Sequence, residues 1–308
     1  MAAASAPASI IEGYMATAPS TAPPFTPNTY DPRYDRFTTN FPSEPPSTNT
    51  SGSFVLAGRD LSGIGWVTAD PLRRLTMVTP RHFVAAAHQG LIGNYSPGAS
   101  VSFLDAFNNV VTATVQSAVQ VPSLGGTYSQ SDIVLGTLTA DVPSGVTSYP
   151  IPVGTDAQFV NRVTYHYDQE HRVGLNRVTN FFDNVDFGAP DNSTTNIVGF
   201  NFLPNQPGIG FNPGEIIYTA NDSGSPTMLI TASGVLSLLG VHFAIGNISG
   251  VDFSFDAFLP DYVTTINSLL TPGYSLTVVP VPEPSSIALV SIAALGVGRR
   301  FLRRHRTA

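Results

Sequence analysis

An all-β architecture is the fold class the sequence predicts, and three observations carry it. Between Phe54 and about Phe255, short runs of β-branched and aromatic residues alternate with Gly, Pro, Asn and Asp clusters, the spacing of a sandwich or barrel. The 308-residue chain holds 27 Gly and 26 Pro, enough turn formers to punctuate many strands. Only 11% of residues are charged, against roughly a quarter in an average globular protein, which suits a loop-rich exported protein of one or two domains.

Taken in chain order, residues 1–53 read as a Pro/Thr-rich arm. Pro19, Pro23, Pro24, Pro27, Pro32, Pro42, Pro45 and Pro46 stand among Ser, Thr and Asn, a composition that buries too little apolar surface to offset chain entropy. Residues 54–145 form the first predicted β unit, with strands at Leu75–Val78, Phe83–Ala87, Val110–Val119 and Ile133–Leu138. After a Pro-rich joint at Asp141–Pro152, residues 146–272 repeat the habit in Arg162–His166, Ile197–Phe202, Thr227–Ile230 and Val235–Phe243. This unit closes with a helix over Phe258–Leu270, where Phe258, Tyr262, Ile266, Leu269 and Leu270 share one helical face. Residues 273–308 are a linker and tail.

Charge and cysteine content exclude several function classes. There is no lysine, and through residue 280 nine arginines face twenty acids. A body that acidic repels phosphate backbones, which argues against a nucleic-acid partner. The absence of cysteine removes disulfides, thiolate metal sites and Cys nucleophiles.

The tail carries its own signal. Val281-Pro282-Glu283-Pro284 precedes the apolar run Ile287–Gly298 and then Arg299, Arg300, Arg303, Arg304 and Arg306. Twelve residues of helix span about 18 Å, short of a roughly 30 Å hydrocarbon core, so the run suits a short transmembrane or sorting helix. The basic end would stay cytoplasmic and the bulk of the chain outside. This arrangement resembles the PEP-CTERM sorting signal of Gram-negative bacteria, which implies an exosortase-type processing partner, the membrane, and an address in the cell envelope or beyond it. At the other end, Met1–Ser9 resembles the small-residue end of a signal peptide whose charged and apolar regions lie upstream.

Three residues in the body point to nucleophilic chemistry. Ser223 lies in Asn221-Asp222-Ser223-Gly224-Ser225-Pro226, where backbone amides can converge on an oxygen. A serine needs a base and a third group to hold that base in one tautomer. His88, ending Ala85-Ala86-Ala87-His88, and Asp132, opening Asp132-Ile133-Val134-Leu135, supply both types, 44 and 91 residues apart in the order His, Asp, Ser. That order differs from those of subtilisin-like enzymes and α/β-hydrolases.

These motifs resemble the trypsin/chymotrypsin-like serine protease family over about Ser62 to Leu270. The resemblance implies two six-stranded antiparallel barrels with the site between them, a C-terminal helix and no cofactor. It implies His88, Asp132 and Ser223 as the catalytic triad, with the N–H groups of Asn221 and Ser223 as the oxyanion hole. It places Ile217, six residues before Ser223, where the substrate side chain is read, which predicts an uncharged, apolar P1 preference. Phe243 falls in the substrate-pairing segment. Ile10-Ile11-Glu12-Gly13 resembles a mature N-terminus, so Ile10 is expected to pair with Asp222 after activation. Asn221 stands where the family has Gly, and Asn is the non-Gly residue most tolerant of positive φ. A catalytically silent protease-like binding module and a triad esterase share these features. The histidines give little for metals: His166 and His171 are five apart, and His82 and His88 lack a third ligand nearby. His242 reads as a core histidine.

Overall fold

The computed structural model describes residues 9–12, 14, 30–39, 41–89, 94–188, 192–203, 214–219 and 222–281. In chain order the strands are β1 (Ile10–Ile11), β2 (Ile64–Val67), β3 (Asp70–Thr79), β4 (His82–Ala86), β5 (Ser100–Leu104), β6 (Val110–Pro122), β7 (Gln130–Leu138) and β8 (Ile151–Val153). They continue with helix α1 (Asp156–Phe159), β9 (Val163–Tyr167), β10 (Val173–Arg177), β11 (Asn180–Phe187), β12 (Ser193–Phe202) and β13 (Ile216–Ile217). Last come β14 (Pro226–Ile230), β15 (Leu236–Ile248), β16 (Val251–Phe258), helix α2 (Val263–Leu269) and β17 (Val278–Pro280).

The first unit is a closed six-stranded barrel in the order β2-β3-β4-β7-β6-β5. Its apolar runs fill the interior: Leu75, Met77, Phe83, Ala85, Phe103, Val134 and Leu138 form one buried cluster. Phe83 faces Gly136 across the β4/β7 pair. A Cβ on Gly136 would lie 2.0 Å from the Phe83 ring, so only glycine lets the ring cross the strand. Strand β6 is amphipathic, its residues alternating between exposed and partly buried.

The second unit differs from the expected second six-stranded barrel. It is a seven-stranded antiparallel sheet, β10-β9-β14-β15-β16-β12-β11, and its edge strands do not pair with each other. Two features keep it open. Strand β11 adds to β12 as a seventh strand, and β13, which runs past β10, spends its pairing on β1. Gly214 accepts from the Leu175 N–H at 2.7 Å and Ile216 from the Asn176 side chain at 2.9 Å, so this segment caps the β10 edge.

Three further expectations are revised. Residues 30–39 and 41–53 pack on the body rather than form a free arm. Arg36 is 3% exposed and donates to the carbonyls of Leu61 and Ile64 and to the Tyr167 hydroxyl. Phe37 and Phe41 pack on Trp66, so a few aromatic anchors outweigh the polar composition. The closing helix starts later than expected, because β16 continues to Phe258 and a 3-10 turn spans Leu259–Tyr262. Tyr262, Ile266 and Leu270 are buried, whereas Leu269 is exposed. Finally, β17 pairs in parallel with β8, so the linker is ordered to Val281. The sorting helix lies outside the described residues. Among those described, no helix is long and apolar enough to cross a membrane.

Candidate active site

Strands β4 and β7 bring His88 and Asp132 together. Ala86 pairs with Ile133, so the turn after β4 and the start of β7 meet at one end of the barrel. Asp132 Oδ2 lies 2.7 Å from His88 Nδ1, and Oδ1 accepts the His88 main-chain N–H at 2.8 Å. The carboxylate thus holds both the ring and the backbone that carries it. The Asp132 side chain is 1% exposed and that of His88 20%. A carboxylate accepts only, so Nδ1 carries the proton and Nε2 is the basic nitrogen. The Asp132 N–H donates to Thr195 Oγ1 on β12 at 2.9 Å, which ties the pair to the second sheet.

Ser223 sits half-buried in the turn between β13 and β14. The turn is fixed from both sides: Gly224, at φ +80°, donates its N–H to the His242 carbonyl at 3.0 Å, and Ser225 donates to Asp222 O at 3.0 Å. The Gln89 side-chain amide donates to the Ser223 carbonyl. This bond brings the residue after His88 onto the Ser223 main chain, so the His88 segment and the Ser223 turn meet at one junction between the two sheets. Asn221 lies outside the described residues.

Asp222 is fully buried. Its carboxylate accepts from the Thr219 N–H at 2.7 Å, the Gln169 N–H at 3.0 Å and the Ser9 hydroxyl at 2.5 Å. Burial, followed by the nearby Asp168, pushes this carboxyl above the usual range, and those hydrogen bonds pull it back. With residues 1–8 still attached, the residue beside Asp222 is Ser9, and the Ile10 pairing expected after activation belongs to a processed chain. Ile10 is 55% exposed and pairs with Ile217. Alternation along β1 turns Ile11 inward and Ile10 outward. Arg172 binds Asp168 at 2.7 Å and the Ser9 carbonyl at 2.7 Å, and Glu170 beside it is pushed up to about 7, chiefly by burial.

The remaining residues singled out in the sequence have clear places. Phe243 sets its ring edge-on to His88, centroids 6.3 Å apart, and packs on Phe187 at 4.1 Å. Ile217 is half-buried opposite Ile10. His242 is a buried core residue whose Nδ1 lies 3.3 Å from Asp256; burial drives the histidine down to about 3 and the carboxyl up to about 7. His166 bonds Thr164 and Thr227, His171 bonds Tyr167 and Arg74, and His82 bonds Thr79 and Thr271. Among the described residues, no group of three or more His, Cys, Asp or Glu could hold a metal. Gln89, Thr195 and Ser9 are the contributors that sequence reasoning missed. For Ser9 the small-residue run before Ile10 was the available signal, whereas Gln89 and Thr195 gave none.

Residues 280–304 match the PEP-CTERM protein-sorting motif, and so the chain carries a bacterial export and sorting signal of the kind handled by exosortase-type enzymes. No curated protein matches the chain.

Proposed function

We propose that the chain is an exported serine endopeptidase that hydrolyses peptide bonds through Ser223, His88 and Asp132. The observation that carries this reading is the junction itself: an Asp-oriented histidine whose neighbour, Gln89, is hydrogen-bonded to the carbonyl of Ser223. His88 Nε2 takes the proton of Ser223 Oγ as that oxygen attacks the scissile carbonyl, and Asp132 stabilises the imidazolium. The N–H groups of Ser223 and Asn221 receive the oxyanion, each such donor being worth roughly 3 kcal/mol in the transition state. His88 then passes its proton to the leaving amine, and water releases the acyl group by the reverse exchange. The chemistry calls for no cofactor.

Phe243 against His88, with Ile217 six residues before the nucleophile, supports an uncharged, apolar P1 residue. A peptide-library profile dominated by Arg or Lys at P1 rejects that preference. The sorting tail makes an exosortase-type enzyme the processing partner, with the membrane engaged through the C-terminal segment. The test of the activity is labelling of the intact chain with a fluorophosphonate probe, with Ser223→Ala and His88→Ala as controls. Labelling lost in both variants supports the reading. A folded native chain that does not label rejects it in favour of a silent binding module, and labelling accompanied by turnover of esters but not peptides makes it an esterase.

A further inference from the structure

We propose that Gln89 is a positioning residue, whose side-chain amide sets the orientation of the nucleophile turn relative to the base. The inference rests on the reading of Ser223 as nucleophile. Gln89 ends the 3-10 turn Ala87–Gln89 and is 7% exposed. Its own carbonyl accepts from Asn94 Nδ2 at 2.7 Å, which fixes its backbone. Its side chain reaches from the barrel to the other sheet and donates to Ser223 O.

That carbonyl belongs to the peptide unit joining Ser223 to Gly224. The unit is planar, with its C=O and N–H on opposite sides. Here the C=O is held by Gln89 from the barrel, and the N–H by the His242 carbonyl of the second sheet at 3.0 Å. Without the first bond the plane is held from one side only, by the Gly224 N–H, and glycine adopts φ of either sign at small cost. Rotation of the plane alters ψ of Ser223 and φ of Gly224 together, and so the setting of Ser223 against the His88 segment. Space confirms how closely the amide is fitted: a Cβ on Gly224 would lie 3.0 Å from Gln89 Oε1 and 3.1 Å from the Arg74 carbonyl, and Tyr95 Oη braces that carbonyl at 2.8 Å. Gln89 touches neither substrate nor the transferred proton, so its effect runs through the placement of Ser223. Misplacement by about 1 Å can cost 10²-fold in rate.

The experiment is fluorophosphonate labelling of the intact native chain, Gln89→Glu and Gln89→Met, over a concentration series that separates the inactivation rate from probe affinity. Gln89→Glu keeps the shape, but its carboxylate can only accept. Both variants are expected to lose at least about tenfold in inactivation rate at pH 8, with probe affinity within about twofold. As the pH is lowered, the Gln89→Glu rate relative to native should climb, because the protonated carboxyl regains a donor. The Gln89→Met ratio should stay flat. Thermal unfolding confirms that each chain is folded at the assay temperature, and either variant carries the test if the other does not fold. Native rates in the folded variants, or losses confined to probe affinity, overturn the proposal while leaving the triad reading intact. A folded native chain that does not label removes the triad reading and this inference with it.

Discussion

Replacing Asp132 by asparagine isolates the orienting role of the carboxylate, and the structure fixes which way the new amide must face. Asp132 Oδ1 accepts the His88 main-chain N–H at 2.8 Å, a donor with no second state. The oxygen of the amide in Asp132→Asn must therefore stay on that side, which turns its NH₂ toward His88 Nδ1, where Oδ2 now lies at 2.7 Å. Two donors cannot face each other, so the ring takes the other tautomer, protonated at Nε2 and unable to accept from Ser223. A wrong tautomer of this kind costs roughly 10⁴-fold in turnover, about 5 kcal/mol of activation free energy. Both hydrogen-bond positions stay occupied, so folding should lose no more than about 3 kcal/mol. Fluorophosphonate labelling gives the rate, and ¹⁵N spectra of the imidazole show which nitrogen is protonated. A variant that labels at the native rate, or that keeps the proton on Nδ1, refutes the reasoning.

The Asp256 carboxyl, pushed up to about 7 by burial from an ordinary 3.8, holds a proton in the folded state that the unfolded chain releases, so its contribution to stability falls as pH rises between about 4 and 7, by on the order of 4 kcal/mol. Over part of that window the histidines facing it, His242 and His166, buried and held low at about 3 and about 4, add stability as pH rises toward about 6.5, so in thermal unfolding Asp256→Asn, which removes the opposing contribution, should gain stability with pH more steeply than the native chain; identical slopes in variant and native chain would sink the assignment. Gly136→Ala places a methyl 2.0 Å from the Phe83 ring and should cost about 1–3 kcal/mol in urea unfolding, partly recovered by adding Phe83→Leu; an unchanged midpoint contradicts the packing. A chain whose first residue is Ser9 would bring its α-ammonium to the Asp222 carboxylate, already 2.5 Å from the Ser9 hydroxyl, so acetylating that amine or making Asp222→Ala should suppress labelling, and full labelling in both rejects the pairing.

What was legible in the sequence is the part that side-chain pattern determines. The runs Leu75–Val78, Phe83–Ala87, Ile133–Leu138 and Thr227–Ile230 fall in or along strands because their β-branched and aromatic residues fill a buried face. The His88 and Asp132 motifs stand near strand ends, where the strand fixes the position, the turn after β4 leaves His88 partly exposed and Asp132 stays buried beneath it. Closure was not legible. Whether seven strands close depends on where β13 spends its hydrogen bonds, and Ile216–Ile217 reads the same whether it pairs with β1 or with a barrel strand. The choice between Ser9 and Ile10 is likewise a matter of register, in which one step reverses every side chain. Residues 30–53 misled because composition averages over the segment, while Arg36, Phe37 and Phe41 hold it at particular points.

The junction between the two sheets follows the same logic. The chain has no cysteine, and among the links across the site are hydrogen bonds between side chains and main-chain atoms. Gln89 reaches Ser223 O, Arg74 reaches the Gln169 carbonyl, and the Thr195 hydroxyl accepts the Asp132 N–H, while Arg36 ties the N-terminal segment to the carbonyls of Leu61 and Ile64 in the same way. Such bonds contribute about 0.5–1.5 kcal/mol each between neutral groups and about 1.5–3 where the donor is charged, so a few of them approach what a disulfide supplies. Unlike a disulfide, each link has one end that any residue could provide. The side-chain end can be read from the chain, but the main-chain end is placed by the fold, which is why Gln89 and Arg36 look like ordinary polar residues until the backbone they hold is in view.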